Sequence, residues 1–256
     1  MKTFLSVVSL FLFLFSTTKA QEAIGPIATD RPDQTESSSL VPKGYFQWET
    51  GFLYEHANSA EQNYSYNTSL LKYGLFDSFE LRLIVEYNRS RVALTGSEID
   101  DQGLAPIAIG SKIAITQENG WIPEIALLSH LTLPNTGLKA FQTNFLAPDF
   151  RFLISKTLTE TLSIGLNLGA SWDGQTPNAT REYTLALANG FTERFGGFIE
   201  VYGFATEGSQ PDHRLDGGFT YLIQNNMQLD ISAGLGLSDI SPEYFLSAGF
   251  SLRLPN

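Results

Sequence analysis

The chain has no cysteine and comparatively few basic residues. Without cysteine there is neither a disulfide framework nor a thiolate metal site. The 256 residues carry 16 Lys and Arg against 27 Asp and Glu, a formal net charge of −11. Binding to nucleic acid phosphates needs clustered basic side chains, so this composition excludes a nucleic-acid partner. Phosphate-loop, dinucleotide and HExxH zinc motifs are also missing, and we expect no cofactor and no metal.

Continuous apolar sequence is scarce after the first twenty residues. At the N-terminus, Lys2 precedes an almost wholly apolar stretch from Phe4 to Phe15, and the small residues Thr18 and Ala20 follow it. This pattern predicts a secretory signal peptide over residues 1–20. The apolar stretch is shorter than the roughly 18–20 residues that a membrane-spanning helix needs. The protein is therefore expected to be exported.

Beyond Gly44 the dominant pattern is alternation of apolar and polar residues, which indicates strands rather than helices. In LSIGLNLGASWD, residues 162–173, the large apolar side chains all fall on one face. The whole chain gives about twelve strands of the length that crosses a membrane. The expected strands are 44–56, 63–75, 79–94, 106–116, 121–133, 147–157, 162–173, 181–191, 197–205, 212–223, 228–238 and 243–254. Residues 44–256 would form one barrel domain, preceded by a periplasmic segment at 21–43.

The connections between these strands alternate in length. FDS, QENG, LTET, TERF and QNNM are short, whereas the intervening connections are longer and more polar. One of the longer connections is TGSEIDDQGLA, which we expect to be a loop. Short turns on one rim and long loops on the other are typical of transmembrane β-barrels, with the short side periplasmic.

A soluble β-sandwich or a lipocalin-like barrel would also show alternation. Three features favour a membrane barrel: a nearly uninterrupted apolar face, an opposite face rich in Gly, Ser, Ala and Asn, and aromatics near strand ends. Trp48, Trp121 and Trp172 are examples of these aromatics. The expected fold is all-β, a single closed antiparallel barrel in the outer membrane of a Gram-negative-type cell. Its partners would be outer-membrane lipid and, during biogenesis, the barrel-insertion machinery.

The polar face of such a barrel lines the lumen. Twelve strands are intermediate between a packed interior and a wide channel, so the sequence predicts a narrow pore. The charged residues on this face are either structural ion pairs or rings that select a solute. The selectivity candidates are Glu49, Lys72, Glu80, Arg82, Glu86, Lys112, Glu124, Asp149, Arg151, Glu200, Arg214, Asp216 and Asp230. With Glu55, Asp173, Glu182, Asp212 and Arg253, acids on this face outnumber bases by twelve to six.

Three functions fit a barrel of this kind. The first is a passive channel or transporter for small solutes, and the second is a non-conducting structural or adhesion barrel that acts through its outer loops. The third is a barrel-embedded hydrolase. Ser129 and His130 are neighbours in sequence but point to opposite faces of a strand, so they cannot form a catalytic pair. We therefore expect a channel and no enzyme.

The segment before the barrel contains TDRPDQTE, residues 29–36, which is dense in charge and has neither strand nor helix period. It is either a tether or a plug of the periplasmic mouth, with Asp30, Arg31 and Asp33 as its candidate residues. A calcium loop is disfavoured because the spacing of its acids fits no EF-hand. The expected pairs are Arg31 with Glu49 or Glu80, and Asp30 with Lys72 or Arg82.

TDRPDQTESSSLVPKGYFQWETGF resembles the opening of an outer-membrane family named after the meta-pathway of phenol degradation. Further similar stretches are LLKYGLFDSFELRL, IAIGSKIAI, PEIALLSHLTLPNTG and DGGFTYLIQNNMQLDISAGLG, so the resemblance runs from Thr29 almost to the C-terminus. It implies an outer-membrane barrel with a transport role. It implies no particular substrate, and phenol is not carried over as one.

The excess of inward-facing acids predicts that a conducting lumen prefers cations to anions. A reversal-potential measurement across a planar bilayer with a salt gradient tests this preference. A potential of the sign expected for cation flow agrees with the prediction, and anion selectivity would refute it.

Overall fold

Strands make up nearly all of the regular structure. The computed structural model describes residues 24–255, so the predicted signal peptide at 1–20 lies outside the described residues. Within 24–255 no helix is long and apolar enough to cross a membrane. The strands are β1 Phe46–Asn58, β2 Glu61–Phe76, β3 Phe79–Leu94, β4 Ser97–Leu104, β5 Ala108–Thr116, β6 Glu124–Thr132, β7 Ala147–Thr157, β8 Leu162–Trp172, β9 Ala179–Gly190, β10 Phe195–Thr206, β11 Asp212–Gln224, β12 Met227–Gly236 and β13 Tyr244–Leu254.

Twelve of these strands close into an antiparallel barrel. Neighbours along the chain pair with each other, β5 pairs with β3, and β13 returns to pair with β1. Closure leaves no backbone edge unpaired in lipid, which is a requirement for any sheet that spans a membrane. The predicted fold class is confirmed, and each barrel strand lies within a few residues of its expected position.

The additional strand, β4, corrects the expectation that TGSEIDDQGLA is a loop. It pairs with the second half of β3, residues 87–94, and β5 pairs with the first half of the same strand, residues 79–84. A three-residue break that contains Pro106 separates β4 from β5. Ion pairs from Arg89 and Arg91 on β3 to Asp100 on β4 hold the extension together. The run of acids is typical of a loop in the sequence. Because the acids of β4 lie opposite two arginines of β3, they stabilise the pairing of these two strands.

Exposure along the strands is inverted relative to a soluble protein. On β12, Ile231 and Leu235 are each 57% exposed, whereas Asp230 and Ser232, on either side of Ile231, are buried, with Asp230 only 3% exposed. Burying charges while exposing isoleucine and leucine is unfavourable in water but favourable when the outer face contacts lipid. The outer surface is therefore the lipid-facing surface, and the polar face lines the lumen.

Residues 24–45, here called the N-terminal segment, enter the lumen from the rim that carries the short turns. Near its start, the amide of Ile27 donates to the carbonyl of Asn225 in the β11–β12 turn, at 2.7 Å. At its end, the amide of Gly44 donates to the carbonyl of Gly74, near the β2–β3 turn, also at 2.7 Å. Both ends therefore lie at the periplasmic rim, and the residues between them form an excursion into the barrel.

The lipid-facing assignment predicts a depth-dependent cost for a charge on the outer face. Ile231→Arg, near the middle of β12, should lower the free energy of unfolding by ~2–4 kcal/mol, whereas Leu237→Arg, beyond the strand end, should lower it by at most about 1 kcal/mol. Denaturant titration of folding into lipid vesicles measures both values. Equal costs for the two variants would contradict the assignment.

Candidate functional site

The N-terminal segment has no secondary structure of its own, and carboxylates of the barrel wall satisfy part of its backbone. A buried amide needs an acceptor, and here three acceptors come from three different strands. The bonds are Asp30 N to Glu49 Oε2 at 2.9 Å, Gln34 N to Glu200 Oε2 at 2.7 Å, and Val41 N to Glu80 Oε2 at 2.7 Å. The segment is thus bonded to β1, β10 and β3 at once.

Asp30 lies at the centre of the strongest cluster of charges. Its carboxylate contacts Lys72 Nζ at 2.7 Å, Lys112 Nζ at 2.9 Å and Arg82 at 3.1 Å. All four side chains are buried. Burial alone would raise the pKa of Asp30, but the positive charges of Lys112, Lys72 and Arg82 hold that pKa well below its usual range. The aspartate therefore stays ionised and bridges β2, β3 and β5.

Other acids complete the compensation of these cations. Lys72 also pairs with Glu49, and Arg82 contacts Glu36 of the segment at 2.8 Å and Glu80 at 3.5 Å. Each buried cation on this side of the lumen therefore contacts at least one carboxylate. We call this group, together with Asp30 and Lys112, the β2–β5 network. Asp30, which was expected to pair with Lys72 or Arg82, contacts both of them.

The expected partner of Arg31 is wrong. Its guanidinium contacts Asp230 at 3.0 Å and donates to Ser247 at 2.9 Å, on β12 and β13, instead of reaching Glu49 or Glu80. Those two glutamates already accept bonds within the β2–β5 network. The backbone also reverses the direction of the side chain between consecutive residues, so that Asp30 and Arg31 face different walls.

Two glycines provide the space for the Arg31 side chain. Gly51 on β1 and Gly249 on β13 are directly paired across the closure of the barrel. A Cβ atom at either position would overlap the guanidinium of Arg31. The sequence did not predict this binding space for Arg31, because the two glycines come together only when β13 pairs with β1. The available signal was that both glycines occur on the polar face of their strands.

Hydroxyl groups hold the remainder of the segment. Thr35 donates to Glu200 and is hydrogen-bonded to Thr184 at 2.6 Å. Ser38 and Ser39 both donate to Glu124, at 2.7 and 3.0 Å. Leu40 packs on a small apolar cluster of inward-facing residues on β6 and β7, namely Ala126, Leu128 and Leu153. The segment therefore contacts walls all around the periplasmic half of the lumen.

Arg253, at the periplasmic rim, donates to the carbonyl of Gly25 at 2.6 Å, whereas several other predicted lumen residues lie nearer the outer mouth. Arg151 contacts Asp149 and Glu182, each at 3.0 Å. Arg214 contacts Asp212 at 2.6 Å and Glu55 at 3.2 Å. Glu86 accepts a bond from Asn88 at 3.3 Å. Asp173, expected in the lumen, lies instead in the exposed loop after β8, where it accepts bonds from the amides of Gln175 and Thr176. The role of these outer lumen residues in selectivity stays a prediction.

Metal chelation is not supported by the arrangement of these acids. In the part of the chain that the structure describes, no group of three His, Cys, Asp or Glu side chains has the geometry of a metal site. Ser129, considered above for a hydrolase, pairs with Ser111 at 3.0 Å, whereas His130 lies in the lumen beside Asp149. Serine and histidine are thus on opposite faces of β6.

Comparisons with known proteins agree with this architecture. A family model described as "Putative MetA-pathway of phenol degradation" matches residues 29–254. An outer membrane channel from Pseudomonas putida F1 has a TM-score of 0.67 at 16% sequence identity, covering 87% of this chain and 99% of that chain. The NanC porin has 0.54 at 9% identity, covering 82% of this chain and 100% of that chain. The KdgM porin has a TM-score of 0.53 at 11% sequence identity, covering 80% of this chain and 98% of that chain. No curated protein matches the sequence. At these identities the structural likeness concerns the fold, which is that of outer-membrane β-barrels.

The central position of Asp30 predicts a large effect of neutralising it. Asp30→Asn leaves Lys72, Arg82 and Lys112 with less negative charge, and removing one partner of buried ion pairs costs about 3–5 kcal/mol. The exposed Asp239→Asn is the matched control and should change stability little. Denaturant unfolding in detergent micelles compares the two, and equal stabilities would contradict the role of Asp30.

Proposed function

The chain belongs to the family of the MetA-pathway of phenol degradation, and from that membership and its barrel we propose that it is a passive outer-membrane channel for small solutes. Lipid surrounds the barrel, and the solute crosses through the lumen between the two aqueous compartments. No cofactor or energy source takes part. The structural neighbours named as channels and porins share this fold, and that likeness supports the proposal without assigning a solute.

One observation carries the proposal: the lumen is polar, charged and narrowed by a segment of the same chain. A barrel that served only as a scaffold could fill its interior with apolar side chains. Here Glu49, Lys72, Glu80 and Glu200 are almost fully buried in the lumen, and they contact the N-terminal segment rather than one another alone. We propose that the segment is a plug that restricts the pore.

The plug is built to remain in place. Asp30 supplies the ionic anchor on β2, β3 and β5, and Arg31 supplies a second anchor on β12. Ion pairs that are buried and also hydrogen-bonded hold their geometry better than exposed pairs, which contribute little. A tether would need neither anchor. The plug is therefore a constriction of fixed position in a narrow channel.

We propose no enzymatic role for the barrel. A hydrolase needs a nucleophile and a base within hydrogen-bond reach, with a third group to orient the base. Ser129 and His130 face opposite sides of β6, and the hydrogen bond of Ser129 goes to Ser111 on the lipid-facing surface. Ser129 and His130 therefore do not form a nucleophile and its base.

Removal of the plug contacts should increase conductance. Deleting Thr29–Glu36, or replacing these residues by Gly and Ser at the same length, should raise single-channel conductance several-fold in a planar bilayer. The same-length replacement separates a loss of contacts from a shortening of the chain. Unfolding of each variant in detergent checks that the barrel is intact. Conductance equal to that of the natural chain would reduce the segment to a tether.

A further inference from the structure

The two sides of the lumen differ in how their carboxyl groups are compensated. Around β2, β3 and β5, Lys72, Arg82 and Lys112 each contact acids. On the opposite side, Glu200 of β10 stands directly across from Asp216 of β11 in the strand register. Within residues 24–255, neither of these carboxylates forms an ion pair with a lysine or arginine. An acidic pair without a counter-charge therefore faces the plug.

Both of these acids are deeply buried. Glu200 is 1% exposed and Asp216 is 4% exposed. Among the described residues, no amide, hydroxyl or basic side chain donates to the two buried oxygens of Asp216, and its nearest polar partner is the carboxyl group of Glu200. Two adjacent carboxylates at low dielectric repel each other, and an unpaired buried charge is costly. The site is electrostatically complete only when a proton or another cation is present.

Asp33 of the plug adds a third carboxyl group. It precedes Gln34, whose amide donates to Glu200 at 2.7 Å. Burial, together with the negative charges of Glu200, Asp216 and Asp30, raises the pKa of Asp33 well above its usual range. The plug therefore brings another acid to a place that already holds excess negative charge.

A cavity leads from the periplasmic rim towards these carboxyl groups. It has a volume of about 430 Å³ and lies between the plug and the wall formed by β7 to β12. We call it the vestibule. Asp33 and Thr35 border it from the plug, and Arg194 in the β9–β10 turn borders it at the rim. Its wall carries small polar side chains that include Ser155, Ser163 and Thr220.

The vestibule ends where the plug contacts the acidic wall. Ala186 and Phe198 border the cavity, and the next inward-facing residues along β9 and β10 are Thr184 and Glu200. Thr35, which also borders the cavity, bonds to both of these residues. The inner end of the cavity is therefore the contact between Thr35 of the plug and Glu200 of the wall.

We propose that Glu200, Asp216 and Asp33 form the selectivity site of the channel, and that this site binds small singly charged cations, including primary ammonium ions. This inference rests on the proposed channel function and deepens it by naming a solute class. An ammonium group supplies three donors to oxygen acceptors and a charge that offsets the acidic pair.

The permeability of the natural chain and of matched variants tests this site. In a planar bilayer with gradients of potassium chloride or ethanolamine hydrochloride, the natural chain should prefer the cation. Glu200→Gln combined with Asp216→Asn should lower the cation-to-anion permeability ratio to near unity. Glu182→Gln is the control, because Glu182 is a lumen acid paired with Arg151, and Arg151 keeps Asp149. This control should retain the preference.

Asp33→Cys provides a second measurement that does not alter the barrel strands. The natural chain has no cysteine, so this thiol would be its only one. A cationic ethylammonium methanethiosulfonate should modify it several-fold faster than the anionic ethylsulfonate reagent. The same pair of reagents at Asp239→Cys, in an outer loop, should differ much less.

The outcomes separate the two proposals. Absence of conductance in the natural chain would overturn the proposed channel function, and the selectivity site with it. Conductance with an unchanged permeability ratio in the double variant would overturn the selectivity site alone. Equal modification rates at Asp33→Cys would also overturn it, including in the case that the double variant fails to fold.

Discussion

The ionic contact of Asp30 with Lys72, Lys112 and Arg82 is the interaction on which the lumen depends. Three cations buried on adjacent walls of a barrel need negative charge nearby, and the strands alone provide only part of it. The N-terminal segment brings the missing carboxylate from outside the sheet. Since that aspartate is held at a fixed point, the residues on either side of it are also positioned, with Arg31 directed to β12 and Gln34 directed to β10. The segment is thus an integral part of the barrel interior.

The acids on the two sides of the lumen differ in whether a basic side chain offsets their charge. The β2–β5 network balances each cation with acids and anchors the plug. Glu200 accepts a hydrogen bond from the plug, whereas Asp216 does not. Among the described residues, neither acid forms an ion pair with a basic side chain. The vestibule lies on this second side. The anchors of the plug and the vestibule are therefore on different sides of the barrel, and a plug that stays fixed by Asp30 can still border the vestibule beside these acids.

Much of the fold could be predicted from the sequence because a barrel between lipid and a polar lumen imposes a period of two on every strand. The same alternation identified the inward-facing acids and bases, and charge complementarity was sufficient to suggest Lys72 and Arg82 for Asp30. The partner of Arg31 could not be derived, because it depends on the path of an irregular segment and on Gly51 and Gly249, which meet only at closure. β4 was not predicted because its strand has no apolar alternation, and it is held instead by ion pairs between its Asp100 and the arginines of β3.

The central claim is that the N-terminal segment is bound inside the barrel by its backbone as well as by its charges. Hydrogen exchange of the amides of Asp30, Gln34 and Val41 in lipid vesicles tests it most directly, because each donates to a lumen carboxylate. We predict that these three amides exchange as slowly as those of the barrel strands, and that Asp30→Asn accelerates them. Exchange at the rate of an unstructured peptide in the natural chain would contradict the account.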